Sequence, residues 1–539
     1  MNTAVIRPWW QTGVIYQIYP LSFCDSNGDG KGDLEGISSR LDYLKWLGVD
    51  ALWLSPIYPS PMADFGYDVA DYTDVDPVFG SLADLDHLIE QAHQRNLRVL
   101  LDLVPNHTSD QHPWFLESRR SRDNPKRSWY IWRDASPQGG PPNNWLSIFG
   151  GSAWEWDQAT GQYYYHAFLK EQPDLNWRNP EVQEAMLQVI RFWLDRGIDG
   201  FRIDVVWHLI KDSLFRDNPP NPHYTPDQPA YNSLLPVYSC DRPEIHDLIR
   251  RIREVTNSYG DRVLLGEIYL PVERLVEYYG NNGSGLHLPF NFQLIQLPWE
   301  ATTIKSAIEK YEQALPSYAW PNWVLGNHDK PRVASRIGLD QARVAAMLLL
   351  TLRGTPTIYY GEEIGMQNGV IEPGQVRDTR GIRQPGKGRD PARTPMQWSD
   401  RPHAGFTSGT PWLPVNPSYP VVNVEKQASD PRSMLTLYQR LLELRRSAPA
   451  LHAGSYKPFP CPDGLIAYLR EEGDQRFLVA LNLTSTPQEL SLNGVLGCLI
   501  LSSHLDQGGT LVESRLCLRP DEAVVVEIGD SPSTLTSHE

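Results

Sequence analysis

The feature that most constrains the fold is a repeated unit in which a helical stretch turns tightly into a short apolar strand whose far end carries charge. Its fullest instance runs from Asn179 to His208. Val182, Ala185, Met186, Val189, Ile190, Trp193 and Leu194 recur at helical spacing, opened by Asn179-Pro180 and closed by Gly197. Gly-Phe-Arg-Ile-Asp follows over 200–204. There Phe201 and Ile203 alternate with Arg202 and Asp204, so one strand face packs while the other presents a guanidinium and a carboxylate. Taken alone, an Arg and an Asp two apart on a strand also describe a simple ion pair. Recurrence of the unit along the chain gives it weight.

The alternation starts early. Val14 to Tyr19 reads as a first strand, a helix over Ile37 to Leu47 leads to the strand Asp50 to Leu54, and Ser81 with Asp84 caps a helix leading to Arg98 to Leu103. Between Pro105 and about residue 173 the rhythm stops in a stretch rich in Trp, Pro, Gly and Asn. That is too long for an ordinary loop and predicts a small domain inserted after the third strand. The rhythm then resumes with the unit above. Pro243 opens a helix before the fifth strand, Val263 to Glu267; Gly285 to Asn291, Trp323 to Asn327 and Thr357 to Tyr360 complete the set, with helices over Thr302 to Ala314 and Asp340 to Leu352. Eight strands alternating with helices predict a (β/α)8 barrel. An open doubly wound sheet is the competing architecture, but no Gly-rich fingerprint follows the first strand. From Gly454 the pattern changes to alternating strands joined by turns such as Glu472-Gly-Asp, which predicts a separate antiparallel β domain. The expected division is therefore 1–104 and 174–453 for the barrel, with an irregular insertion at about 365–415 after the eighth strand, 105–173 for the inserted domain, and 454–539 for the C-terminal domain.

With 539 residues, 41% of them hydrophobic, the chain is large enough for such a barrel and its additions. A net charge of -16 argues against nucleic acid or an anionic membrane surface as a partner. No apolar run approaches the roughly 20 residues that span a bilayer, and Met1 to Gly13 lacks the apolar centre of a secretory leader, so a cytoplasmic protein is expected. Five scattered cysteines with no C-x-x-C pair predict reduced thiols. Composition leaves monomer and homodimer equally open.

In a barrel of this type function sits at the C-terminal strand ends. Those ends supply Asp102, Asn106 and His107 after the third strand, Arg202, Asp204 and His208 at the fourth, Glu267 at the fifth, and His328 with Asp329 after the seventh. Converging carboxylates repel one another and are costly unless chemistry uses them. The absence of an H-E-x-x-H helix turns the reading away from a catalytic transition metal. Near the first strand, Asp25-Ser-Asn-Gly-Asp-Gly-Lys-Gly-Asp33 places oxygen side chains at positions 1, 3, 5 and 9 with Gly30 at the sixth. This matches the first part of a calcium loop, although position 12 is Gly36 where an EF-hand has Glu. A metal-free Asp/Gly turn is the alternative.

The segments Asp102-Leu-Val-Pro-Asn-His107, Gly200-Phe-Arg-Ile-Asp204, Gly266-Glu267 and Gly326-Asn-His-Asp329 resemble, in order, the four signature regions of the α-amylase family of glycoside hydrolases. Gln172-Pro-Asp-Leu-Asn176 resembles a fifth region in the form found in oligo-1,6-glucosidases and related α-glucosidases. The resemblance implies Asp204 as nucleophile, Glu267 as general acid/base and Asp329 as a third acid that binds sugar hydroxyls. Arg202 would keep Asp204 ionised, and His107 and His328 would donate to hydroxyls. Asp64 and Tyr67 would cap the innermost pocket, and Arg393 would reach the same sugar. Asp102 reads as structural. The metal loop recurs in this group, implying structural calcium or magnesium held by Asp25, Asn27, Asp29, the Lys31 carbonyl and Asp33, with no cofactor for catalysis. The implied activity is that of a retaining, exo-acting α-glucosidase on small oligosaccharides. Val205, directly after the nucleophile, resembles the residue that accompanies α-1,6 cleavage, where Thr accompanies α-1,4. A transglucosylase or isomerase would use the same residues. A non-catalytic relative, which would lack the full acid set and carry a membrane anchor, fits less well.

Overall fold

Eight short parallel strands wrap into a barrel in the computed structural model, which describes residues 7–529. They are β1 (Ile15–Ile18), β2 (Ala51–Leu54), β3 (Arg98–Leu103), β4 (Gly200–Ile203), β5 (Val263–Gly266), β6 (Leu288–Pro289), β7 (Asn322–Val324) and β8 (Thr355–Tyr359). Neighbours in this order pair in parallel from β1 to β6, and β8 joins β1 to β7. A parallel bridge between Asn291 and Trp323 closes the ring.

The strands are buried nearly throughout because a parallel barrel is covered on both faces. Ile15, Ala51, Trp53, Leu100, Val263 and Leu288 belong to the cluster that fills the interior. Helices such as Leu82–Gln94, Pro180–Asp195, Ile245–Asn257, Ala301–Ala314 and Leu339–Thr351 turn their apolar stripes onto the outside. Two expected elements are shorter than the sequence suggests. The sixth strand keeps only Leu288–Pro289, since Pro289 has no N–H with which to extend a ladder. The helix expected over Ile37 to Leu47 splits into Leu34–Ser38 and Leu41–Leu47, where the Ser38 and Ser39 hydroxyls bond back to the carbonyls of Leu34 and Gly36.

Three excursions leave the C-terminal end of the barrel. After β3, a helix (Pro113–Ser118) and a three-stranded antiparallel sheet with Gln162–Tyr165 at its centre are held at their base by bridges His107–Asp174 and Tyr130–Leu175. After β4, residues 209–244 form a long irregular loop with one short 3-10 helix, Ala230–Ser233. After β8, residues 360–433 cross back over the mouth in short turns and helices. Beyond 454 lie six antiparallel strands, β9 (Ser455–Pro458), β10 (Leu465–Glu472), β11 (Gln475–Asn482), β12 (Gln488–Ser502), β13 (Thr510–Leu518) and β14 (Ala523–Gly529), in the order β9-β10-β11-β14-β12-β13. One face of this sheet has a core of its own, including Leu478, Leu490 and Val526, while Ile466, Tyr468 and Val479 pack toward the barrel.

Residues 1–6, the start of the segment read for a leader, and residues 530–539, the end of the expected C-terminal domain, lie outside the described residues. Among the described residues no helix is long and apolar enough to cross a membrane, and all five cysteines are unpaired.

Gly200 opens β4 at φ +153°, and a Cβ there would sit 2.1 Å from the Val263 carbonyl oxygen on β5. Gly200→Ala must push apart the two strands whose ends carry Asp204 and Glu267. We expect a loss of about 3 kcal/mol in stability, from overpacking and backbone strain together, with a fall in activity. Denaturant unfolding of the purified variant measures the first and initial rates the second.

Candidate active site

At the ends of β3, β4 and β5 one guanidinium serves three buried carboxylates. Arg202 Nη1 lies 2.7 Å from Asp102 Oδ1 and 2.8 Å from Asp204 Oδ1, while Nη2 lies 2.7 Å from Glu267 Oε2. The register of the barrel sets this up: Asp102 is paired with Arg202 across β3 and β4, and Glu267 directly follows Gly266, which is paired with Ile203. Val205 completes the arrangement by donating its N–H to Glu267 Oε2 at 3.0 Å. It does so in a left-handed conformation, φ 35° and ψ 44°, which a β-branched residue adopts only under strain.

Burial pushes the Asp204 carboxyl well above the ordinary carboxylate range; Arg202 pulls it down, and the charges of Glu267 and Asp102 push it up further. Arg202 favours the ionised form of Asp204, as the motif implies, but the cation is divided among three acids. Asp102 is pushed up to about 6, again by burial working against Arg202. Its Oδ2 accepts from the Tyr67 hydroxyl at 2.9 Å and from Trp53 Nε1 at 3.2 Å, so it anchors the pocket floor.

Asp329 has the opposite environment. Burial opposes its ionisation, but the charges of Arg389, Arg393 and Arg202 overcome that and hold it far below the usual range. Its Oδ1 lies 3.2 Å from Arg389 Nη1 and 3.1 Å from Arg393 Nη2. Burial lowers His328 to about 3, so the ring is neutral; the Gln17 amide holds its Nδ1 at 2.8 Å, and Tyr67 stacks on it with ring centroids 5.3 Å apart. His107 is likewise shifted down by burial, with Nε2 3.1 Å from the Tyr67 carbonyl and 3.1 Å from Gln172 Nε2.

These groups line a cavity of about 360 Å³, within the range of small-molecule sites. Asp64, Tyr67, His107, Asp204, Val205, Glu267, His328 and Asp329 all face it. Arg393 does not. Its side chain is fully buried behind the wall, with Nε donating to the His328 carbonyl at 2.8 Å. Arg393 was expected at the sugar; the structure places it behind Asp329 and not among the residues lining the cavity. Arg389, four residues earlier, does line the cavity and pairs with Asp64, Asp329 and Asp378. The 3-10 turn Asp390–Ala392 between the two arginines sends them to different depths. Sequence reading missed Arg389, Asp378 and the wall residues Phe149, Phe168 and Tyr231. Two arginines flanking one turn were a signal for the first, whereas the aromatics come from irregular loops with no periodicity to read.

The Asp25–Asp33 loop lies apart from this cavity. Asp25 Oδ1 accepts from the Asn27 and Gly28 N–H groups at 2.9 and 2.8 Å, Asn27 Oδ1 from Asp29 at 2.8 Å, and Asp29 Oδ1 from Lys31 at 2.8 Å. Asp33 caps the following helix through Gly36 N–H. This winding gathers hard oxygens of the kind calcium and magnesium take. Among the described residues no three His, Cys, Asp or Glu side chains gather as metal ligands, and the loop's set depends on Asn27 and a backbone carbonyl.

Paired acids held by one cation at the mouth of a (β/α)8 barrel, with a third acid ionised beside them, form a site suited to cleaving glycosidic bonds. The family model described as "Alpha amylase, catalytic domain" matches residues 17–454, and the chain belongs to the α-amylase family of glycoside hydrolases. It is 40% identical over 570 aligned residues to an oligo-1,6-glucosidase of Parageobacillus thermoglucosidasius, covering 97% of this chain and 99% of the relative. An alpha-glucosidase of Culex pipiens is 41% identical over 499 residues, 90% of this chain and 83% of that one. The crystal structure of an alpha-glucosyl transfer enzyme, XgtA, superposes with a TM-score of 0.93 at 42% identity, covering 97% of this chain and all of the other. The protein is thus a glycoside hydrolase of this family.

The raised proton affinity of Asp204 has a signed consequence. In the nucleophilic role that its motif implies, Asp204 would act ionised, so kcat/KM should fall on the acid side at a pH above ~3.9, the ordinary Asp value. Asp102→Asn removes a like charge and leaves more of Arg202 to Asp204, which should move that limb to lower pH. Profiles of kcat/KM against pH on a chromogenic α-glucoside check both.

Proposed function

We propose that this protein is a retaining, exo-acting α-glucosidase that releases α-glucose from the non-reducing end of short α-glucosides, chiefly α-1,6-linked substrates of isomaltose type. The observation that carries the reading is the Arg202 fork. Carboxylates gripped by adjacent nitrogens of one guanidinium suit the spacing of about 5 to 5.5 Å that retention requires, rather than the wider gap of inverting enzymes. Glu267 protonates the glycosidic oxygen as Asp204 attacks the anomeric carbon, which breaks the bond to the leaving group and forms a covalent glucosyl ester. Glu267, now ionised, takes a proton from water, whose oxygen displaces Asp204 and restores the α configuration. Asp329, His107 and His328 hold the hydroxyls of the glucosyl ring. The Asp64–Arg389 pair closes the inner end, which favours terminal sugars over internal ones.

Isomaltose hydrolysis followed by proton NMR should show α-glucose as the first product. Asp204→Asn and Glu267→Gln should each lower kcat by about 10³-fold or more without loss of fold. The linkage assignment rests on Val205, which faces the cavity. Thr at this position keeps the β-branch, and so the backbone strain, while adding a hydroxyl. Val205→Thr should shift the isomaltose to maltose ratio of kcat/KM toward maltose by an amount worth ~1 to 3 kcal/mol. A parent that prefers maltose would overturn the α-1,6 reading.

A second reading, transfer of glucose to a sugar acceptor in place of water, is favoured by the similarity to the alpha-glucosyl transfer enzyme. The same NMR time course run with excess acceptor separates the two. Division of the chain into barrel (1–104 and 174–453, with the 365–415 insertion), inserted domain (105–173) and C-terminal domain (454–539) accompanies this proposal. Unpaired cysteines suit the reducing cytoplasm.

We further assign structural calcium or magnesium to Asp25, Asn27, Asp29, the Lys31 carbonyl and Asp33. An ion that binds only the folded state raises the melting temperature. EDTA should lower the Tm, and Asp29→Ala should abolish that response; an unchanged Tm after verified metal removal contradicts the assignment.

A further inference from the structure

The outer part of the cavity holds two cations with no carboxylate partner of their own. Lys330 follows Asp329 and lines the cavity with Nζ 5.4 Å from the centre of the Tyr269 ring. Arg380, on the short helix Thr379–Arg383, lines it with its guanidinium 5.4 Å from the centre of the Phe149 ring. Among the described residues neither side chain forms a salt bridge, and the Arg380 Nε is buried without a hydrogen-bond partner. The acids around them are already engaged. Asp64 and Asp378 are bonded to Arg389, Asp329 to Arg389 and Arg393, and Glu267 to Arg202.

Tyr269 stands two residues after Glu267, and Lys330 senses the charge of both Asp329 and Glu267, whereas Arg380 senses Arg389, Asp329, Asp378 and Asp64. The two cations also act on each other, since Arg380 is among the charges that lower Lys330. Burial disfavours the charged form of each; Asp329 favours the charge on both, while Arg380 works against Lys330 and Arg389 works against Arg380. A neutral disaccharide supplies hydroxyls but no charge to offset this. An anionic group does.

We propose that Lys330 and Arg380 form a subsite for an anionic group, phosphate or carboxylate, on the leaving group of the α-glucoside. The inference rests on the α-glucosidase reading and leaves the bond-breaking steps unchanged; it defines which aglycones are preferred. Arg380 supplies a planar fork that matches either anion, and Lys330 a point charge nearer the general acid. Both are placed to steer the incoming substrate electrostatically past a protein surface that is negative overall.

The test uses the full-length enzyme and three aryl α-glucosides that differ only in the para group: carboxamide, carboxylate and phosphate ester. Turnover of all three is read first. Its absence with every compound overturns the glucosidase reading and this inference with it, whereas turnover of the anionic compounds alone supports the subsite. With neutral turnover present, the expected result is a kcat/KM about tenfold or more higher for at least one anionic compound, falling toward the neutral value as salt is raised. Comparison of carboxylate with phosphate identifies which anion the subsite favours. Lys330→Gln and Arg380→Gln should each reduce the anionic to neutral ratio several-fold, with the change mainly in KM. An anionic to neutral ratio near one in the parent, insensitive to salt, overturns the subsite even if neither variant folds. So does an elevated ratio that both variants retain.

Discussion

The site depends on one guanidinium shared by three largely buried carboxylates. Arg202, Asp102, Asp204 and Glu267 are all nearly fully buried, and such charges persist only when they are paired and hydrogen-bonded. Loss of the cation would leave three acids repelling one another, a disruption of the kind that costs about 3 to 5 kcal/mol when a buried pair is broken. The barrel makes the arrangement affordable by placing the four groups on adjacent strand ends, where strand register rather than side-chain entropy determines their separation. One cation cannot neutralise three acids, so burial and the neighbouring charges push Asp204 and Asp102 toward their protonated forms.

Precision at the next residue carries a cost of its own. Val205 is held in a left-handed conformation that costs of order 1 to 3 kcal/mol, and its N–H reaches Glu267 because of it. A relaxed chain at this point would direct the N–H elsewhere and free the acid to rotate. Strain at Val205 and the excess of acid around Arg202 are therefore parts of one device, whose stability comes from the packed barrel beneath.

Much of this was legible in the sequence because period and charge coincide there. The alternation of Phe201 and Ile203 with Arg202 and Asp204 identified both the strand and the two charges it delivers, and strand order then brought Glu267 and Asp329 to the same mouth. What stayed hidden was whatever the loops decide. Nothing periodic marks residues 209–244 or 360–433, yet Tyr231, Arg380 and Arg389 reach the cavity from them. Arg393 was assigned to the sugar and Arg389 passed over because the two differ only in depth, which a 3-10 turn sets and composition does not reveal. The sixth strand was read as seven residues and is two, since a proline within an apolar run leaves the apolarity intact while removing the donor that a ladder needs.

The same accounting of charge explains why acids that share one mouth behave differently. Asp329 accepts from two arginines and stands beside a neutral histidine, and it remains ionised although it too is largely shielded from water. Asp204 shares a single arginine with two other acids and is pushed the opposite way. Had Arg393 pointed into the cavity, as its motif suggested, Asp329 would have lost one of its two direct cations and moved toward the behaviour of Asp204. With Arg393 behind the wall and Arg389 in front of it, Asp329 stays ionised at the cavity while Asp204 is pushed the other way. The division of roles thus follows from how many cations each carboxylate can reach, and that number is set by the loop after β8 as much as by the strands that bear the acids.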